Sequence, residues 1–256
     1  MYNYKDHNFQ IIENTISKEN ISALTNELLD IGNNLDANNN FTDINELWNY
    51  YCKNNRSKGG AIYNGFKYLP SIHSIAYSDE MIINLKEICM VQSPALIDIN
   101  CRIDSYEGEK FLFDWHQDYW FSVASKNAVV VWIPITGLDS TLGGLEIIPF
   151  NKDEIKIYNT KKGDKYNSYA DAIKLNDSIP KEKALSITDI KTGSALFFSF
   201  SSLHKSLPVL NKSKSRFTIQ LRFADFEDDE FIQNNYKPGQ VKKDSIDYLK
   251  NKEEMV

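Results

Sequence analysis

The chain has 256 residues, 42% of them hydrophobic and 25% charged, with a net charge of −6. That length suits one domain with a sizeable core, and the composition is that of an ordinary soluble globular protein. The acidic balance argues against a nucleic-acid partner, the few cysteines against a disulfide framework, and the lack of a long apolar run against a membrane span.

From the N-terminus, Ser17 caps a predicted helix over residues 17–31, with Ile21, Leu24, Leu28 and Leu29 at helical spacing. Residues 33–40 are Asn-rich and predict a loop. Thr42 or Asp43 caps a second short helix carrying Ile44, Leu47, Trp48 and Tyr51, which Ser57-Lys58-Gly59-Gly60 is expected to break. Lys58, Tyr63 and Tyr68 follow as candidates for a pocket wall. A third helix is predicted over residues 79–90, with Met81, Ile82, Leu85 and Ile88 on one face. Nothing at the N-terminus combines a basic stretch with an apolar one, so no signal peptide is expected and the predicted location is cytoplasmic.

From Ala95 the pattern changes to short strands, over residues 96–104, 110–115, 128–135, 144–148, 184–187, 194–200 and 216–223. Gly and Asp/Asn turns separate them, as in a sandwich or barrel rather than in βαβ units. The expected fold is an all-β core with added helices (α+β): a double-stranded β-helix, the cupin-like jelly roll, with the N-terminal helices packed on one sheet. The whole chain, 1–256, reads as one domain: a mainly helical part over 1–94, a jelly-roll core over 95–226 and a surface tail over 227–256, with room for one short helix. Residues 151–180 are long and polar; a lid over the site and a surface insertion without a role are both open.

The chemistry gathers at Trp115-His116-Gln117-Asp118. In an extended segment His116 and Asp118 share one face. Taken alone the pair is weak, because a histidine bonded to a nearby carboxylate is common in ordinary structure. The chain has only four histidines, however, and one of them, His204, follows the apolar run 195–200. Two histidines and a carboxylate are the ligand set of the facial triad that holds Fe(II) and leaves its other face open.

Three motifs occur in order: Trp115-His116-Gln117-Asp118, then Gly143-Gly144-Leu145-Glu146-Ile147-Ile148-Pro149, then His204-x-Ser206 with Asn211, Ser213 and Arg216. Over roughly residues 97–226 the chain thereby resembles the phytanoyl-CoA dioxygenase family. The resemblance implies Fe(II), 2-oxoglutarate as co-substrate and O2, with decarboxylation to succinate and CO2 and hydroxylation or another oxidation of a small polar substrate. It implies His116, Asp118 and His204 as metal ligands and catalytic centre. Arg216 is implied as the grip on the far carboxylate of 2-oxoglutarate, with Ser206 as its hydroxyl partner and Gln117 and Trp132 beside the co-substrate. Gln117 reads almost as well as a surface amide. One departure stands out: after Pro149 the family continues Gly-Ser-His, where this chain has Phe150-Asn151-Lys152.

The strand from Arg216 alternates strictly, with Arg216, Thr218, Gln220 and Arg222 on one face and Phe217, Ile219, Leu221 and Phe223 on the other. A polar cavity and open solvent both explain such a pattern. Arg102, Tyr119, Trp120 and Arg222 are the substrate candidates. Arg102 either faces the cavity or pairs with Asp104, and Arg222 either takes an anionic substrate group or pairs with a rim acid such as Asp225 or Glu227. The partner expected is thus a small polar or anionic molecule, with no nucleic acid and no membrane, on a monomer or homodimer. The competing function is a cupin-like binding protein or isomerase without redox turnover, which has no use for a carboxylate grip beside three metal ligands. A halogenase would need a small residue in place of Asp118.

Overall fold

The computed structural model describes residues 2–238 apart from 37, 122–123, 152–155, 163–172 and 176. Its first element is a short helix, α1 (Tyr4–His7), followed by strand β1 (Phe9–Ile12). Five helices then follow: α2 (Lys18–Asn34), α3 (Ile44–Asn54), α4 (Arg56–Phe66), α5 (Pro70–Ala76) and α6 (Asp79–Glu87). Ser17 and Asp43 cap α2 and α3 as expected, each side chain accepting from backbone N–H groups of the first turn.

Ser57-Lys58-Gly59-Gly60 does not break a helix; α4 runs straight through it. The break is Asn55, two residues before Ser57, whose non-helical backbone ends α3 while its side chain accepts from Lys58 N–H and starts α4. Both α5 and β1 escaped the sequence reading, being only seven and four residues long.

The strands are β2 (Pro94–Asp104), β3 (Val129–Pro134), β4 (Gly144–Ile147), β5 (Thr160–Lys162), β6 (Ile173–Leu175), β7 (Leu185–Ile187), β8 (Ala195–Ser199), β9 (His204–Leu207) and β10 (Arg216–Asp225). They form a five-stranded antiparallel sheet in the order β1-β8-β3-β10-β2 and a three-stranded sheet β7-β4-β9, with β5 and β6 paired separately. This is a jelly-roll core with added helices. The expected strand over 110–115 is absent: Tyr106–Phe111 coil into a 3-10 helix and the chain reaches His116 without regular pairing. A short helix, α7 (Asp229–Gln233), follows β10.

Burial explains how the larger sheet serves two layers. Val129, Val131 and Ile133 with Phe217, Ile219, Leu221 and Phe223 join Leu24, Leu47, Ile62, Ile72 and Met81 of the helices in one core. Val130, Trp132, Leu196 and Phe198, on the opposite face, pack against Leu145 and Ile147 of the smaller sheet. The polar residues of β10 therefore point between the sheets, and the solvent-facing alternative falls: Arg216, Thr218 and Arg222 are all buried. Gly144 starts β4 at φ +152, where a Cβ would strike the Ile187 carbonyl of β7, so the glycine pair lets the small sheet close.

Half of residues 151–180, the candidate lid, lies outside the described residues, as does most of the C-terminal tail. Among the described residues no helix is long and apolar enough to cross a membrane.

Candidate metal centre and its cavity

His116 and His204 meet through their backbones. Each donates its N–H to the other's carbonyl at 3.0 Å, an isolated antiparallel bridge that brings the two rings to 4.2 Å between centroids. Gln117 is extended, so Asp118 returns to the same side, and its Oδ1 lies 3.5 Å from His116 Nε2 and 3.9 Å from His204 Nε2. One ligand atom from each residue fits within 4.8 Å of the others, and all three residues are buried.

The remaining atoms of the cluster are already engaged. His116 Nδ1 lies 2.7 Å from the Asp114 carbonyl and His204 Nδ1 lies 3.0 Å from that of Ser202. A carbonyl can only accept, so each ring carries its proton on Nδ1 and turns a lone pair outward on Nε2. Asp118 Oδ2 accepts from Arg222 Nε at 3.2 Å and from Nη2 at 3.1 Å. Burial alone would raise the Asp118 pKa, but the Arg222 charge and the two imidazoles outweigh it and hold the carboxyl below the usual range. Burial, with His116 alongside, pushes His204 down to about 3. His204 is therefore a neutral imidazole beside an ionised Asp118, the protonation that a divalent metal requires of such ligands.

These shifts fix the acid behaviour of the metal-free protein. The stability from a neutral His204 is complete above pH 6.5 and drains as pH falls toward 3; that from Asp118 goes at still lower pH, beginning near the ordinary carboxylate value. The unfolded chain binds more protons throughout this window, so stability falls with pH. Thermal melts of chelator-treated protein between pH 7 and 4.5 should show a falling Tm, with a shallower slope for His204→Gln. Parallel slopes would assign the acid sensitivity elsewhere.

A cavity of about 980 Å³ opens on the cluster. Trp132, Leu145, Phe198, Ser206, Gln220 and Arg222 share its wall with the three residues, and Asp98, Asn100, Arg102 and Asp104 continue it along β2. Residues of α4, among them Gly60, Tyr63 and Asn64, close the far side.

Ser206, Trp132, Arg102 and Arg222 thus face the cavity, but several expectations need correcting. Gln117 is fully buried off the wall: its amide nitrogen donates to the Lys156 and Ser201 carbonyls and its oxygen accepts from Tyr158 N–H, so it fastens the chain around 156–158 to the core. Tyr119 and Trp120 turn away too, the phenol donating to Glu230 and the indole to the Tyr158 carbonyl. Of the weaker candidates, Lys58 pairs with Asp36 and Tyr68 is 71% exposed, while Tyr63 does line the wall.

Arg216 is buried but not on the cavity wall. Its Nη1 donates to the carbonyls of Leu142, Gly144 and Leu207, and its Nη2 to Asp104 at 3.1 Å. Arg102 shares that aspartate, donating from Nη2 at 2.6 Å, and also donates to the Phe111 carbonyl while lying 5.1 Å over the Phe113 ring. Arg222 pairs with Asp118 and Asp98 rather than with Asp225 or Glu227. Asp104 is the partner weighed for Arg102, and Arg102 both pairs with it and faces the cavity, whereas Asp98 was missed, although alternation along residues 98–104 puts it on the same face. The Asp114 and Ser202 carbonyls left no signal, because any residue supplies one.

A sequence model described as phytanoyl-CoA dioxygenase (PhyH) matches residues 9–218. No curated protein matches the chain. Among solved structures the chain is similar to EctD from S. alaskensis, crystallised with 2-oxoglutarate and 5-hydroxyectoine, at 11% identity and a TM-score of 0.57 over 89% of this chain and 77% of that one. It is also similar to AviO1 from Streptomyces viridochromogenes Tue57, at 12% identity and a TM-score of 0.55 over 93% and 95% of the two chains. A third, HygX from Streptomyces hygroscopicus with nickel and 2-oxoglutarate bound, gives 9% identity and a TM-score of 0.52 over 89% and 86%. At such identities the likeness is one of fold.

Proposed function

This chain belongs to the phytanoyl-CoA dioxygenase family, and on that premise we propose that His116, Asp118 and His204 hold the iron of an Fe(II)- and 2-oxoglutarate-dependent dioxygenase. The observation that carries the assignment is the buried cluster whose outward atoms are two imidazole lone pairs and one carboxylate oxygen. Hard and borderline donors in that number, with one side left open, suit ferrous iron. When bound, the metal and 2-oxoglutarate supply the activation of O2, with the co-substrate leaving as succinate and CO2.

The protein's own part is to orient and to exclude water. Trp132 and Phe198 give the cavity apolar wall beside the cluster, and Ser206, two residues beyond His204 on β9, offers a hydroxyl. The far carboxylate of 2-oxoglutarate falls to Arg102, which lines the same wall as Ser206 and shares Asp104 with the buried Arg216. A cavity of about 980 Å³ holds co-substrate and a further small molecule together. Asn64, Asn100 and Gln220 on its wall favour a polar substrate, oxidised by hydroxylation or a related step.

The test is turnover. Purified protein loaded with ferrous iron should form succinate from 2-oxoglutarate slowly alone and faster with its substrate, so a panel of polar metabolites scored by succinate formation also seeks the substrate. Absence of succinate with every compound, and with iron bound, would favour a binding protein.

A further inference from the structure

Resting on that reading, we propose that Arg222 is a positioning residue that confines Asp118 to a single metal-facing oxygen. The geometry is a two-bond grip. Arg222 Nε and Nη2 both donate to Asp118 Oδ2, at 3.2 and 3.1 Å, while Oδ1 is left toward the two imidazoles. Both donors of the planar guanidinium converge on that one oxygen, so they hold Oδ2 at the arginine and leave Oδ1 as the oxygen turned to the imidazoles. A carboxylate free to rotate could present both oxygens to a metal and fill a position that the co-substrate needs.

The grip is itself held. Arg222 Nη1 donates to Asp98 Oδ2 at 3.0 Å and Nη2 to Gln220 Oε1 at 3.0 Å, and the arginine is only 6% exposed. The backbone contributes register. In the pairing of β10 with β2 the match is unbroken from Arg216 opposite Asp104 to Arg222 opposite Asp98, so Arg222 and Asp98 lie on one face as direct cross-strand neighbours. A bulge at Ile97 shifts the pairing only beyond them, where Phe223 stands opposite Leu96. Arg222, with one positive charge between two carboxylates, is spoken for, so it lends no support to an anionic substrate.

Two variants test the role. Arg222→Lys keeps a positive charge between Asp118 and Asp98 but replaces the fork with a single point donor. It should bind as much ferrous iron as the parent, yet bind 2-oxoglutarate about tenfold more weakly in anaerobic titration. The visible absorption of its iron–co-substrate complex should shift as well. Loss of iron, co-substrate and Tm together would mean a merely structural part and overturn the proposal. Arg222→Ala opens a guanidinium-sized space on the cavity wall, and added guanidinium ion should restore 2-oxoglutarate affinity where ammonium at equal ionic strength does not. A parent protein that binds no iron overturns the dioxygenase assignment and this role with it. A parent that binds both, with Arg222→Lys matching it in affinity and spectrum, overturns the role alone.

Discussion

His204→Ala is expected to abolish iron retention and succinate formation while leaving a folded protein. The parent should hold about one ferrous ion per chain and the variant almost none, because losing one of three protein ligands leaves no facial set. His204 is the cleanest of the three to remove. Its backbone bridge to His116 survives the change, and truncating it deletes a neutral ring, so no buried charge is stranded. Asp118→Ala would instead leave Arg222 and Asp98 facing a void, and breaking a buried ion pair costs about 3–5 kcal/mol. Iron analysis beside circular dichroism separates ligand loss from unfolding. Stoichiometric iron in a folded His204→Ala protein would move the metal centre elsewhere.

What could be read from sequence followed from period and chemistry. The alternation of β10 announced a strand with one apolar face, and the real structure buries both faces because helices cover one and the small sheet the other. His116, Asp118 and His204 were legible because the chain has few histidines and the spacing is short. Direction was harder. Gln117 sits between two converging residues, so period two sends it the opposite way, into bonds with the backbone of 156–158 and Ser201. Tyr119 and Trp120 follow Asp118 in a 3-10 turn, which carries them away from the cavity to Glu230 and the Tyr158 carbonyl. The partners of Arg222 come from residues 104 and 124 positions away, and sequence carries no local record of such pairings.

The largest remaining effect concerns which arginine grips the far carboxylate of 2-oxoglutarate. The family resemblance points to Arg216, yet its guanidinium already serves three carbonyls and Asp104 and stands off the cavity wall. Arg102 lies on the wall, steadied by Asp104, the Phe111 carbonyl and the Phe113 ring, and its Nη1 bonds none of the described residues. Phe113 in turn lies 5.1 Å from the His116 ring, so Arg102 stands one aromatic ring away from the metal cluster. Arg102→Gln is therefore expected to weaken 2-oxoglutarate by about 30- to 150-fold, the roughly 2–3 kcal/mol of a charge-assisted pair. Binding of 2-oxobutyrate, which keeps the keto acid but lacks the far carboxylate, should hardly change. Arg216→Gln should act mainly on stability, since it strips a charge partner from buried Asp104, and should weaken both 2-oxo acids alike. Anaerobic titrations of the two acids against parent and both variants decide the matter. Should discrimination vanish in Arg216→Gln and persist in Arg102→Gln, Arg216 is the grip, and co-substrate binding must draw its guanidinium away from Asp104.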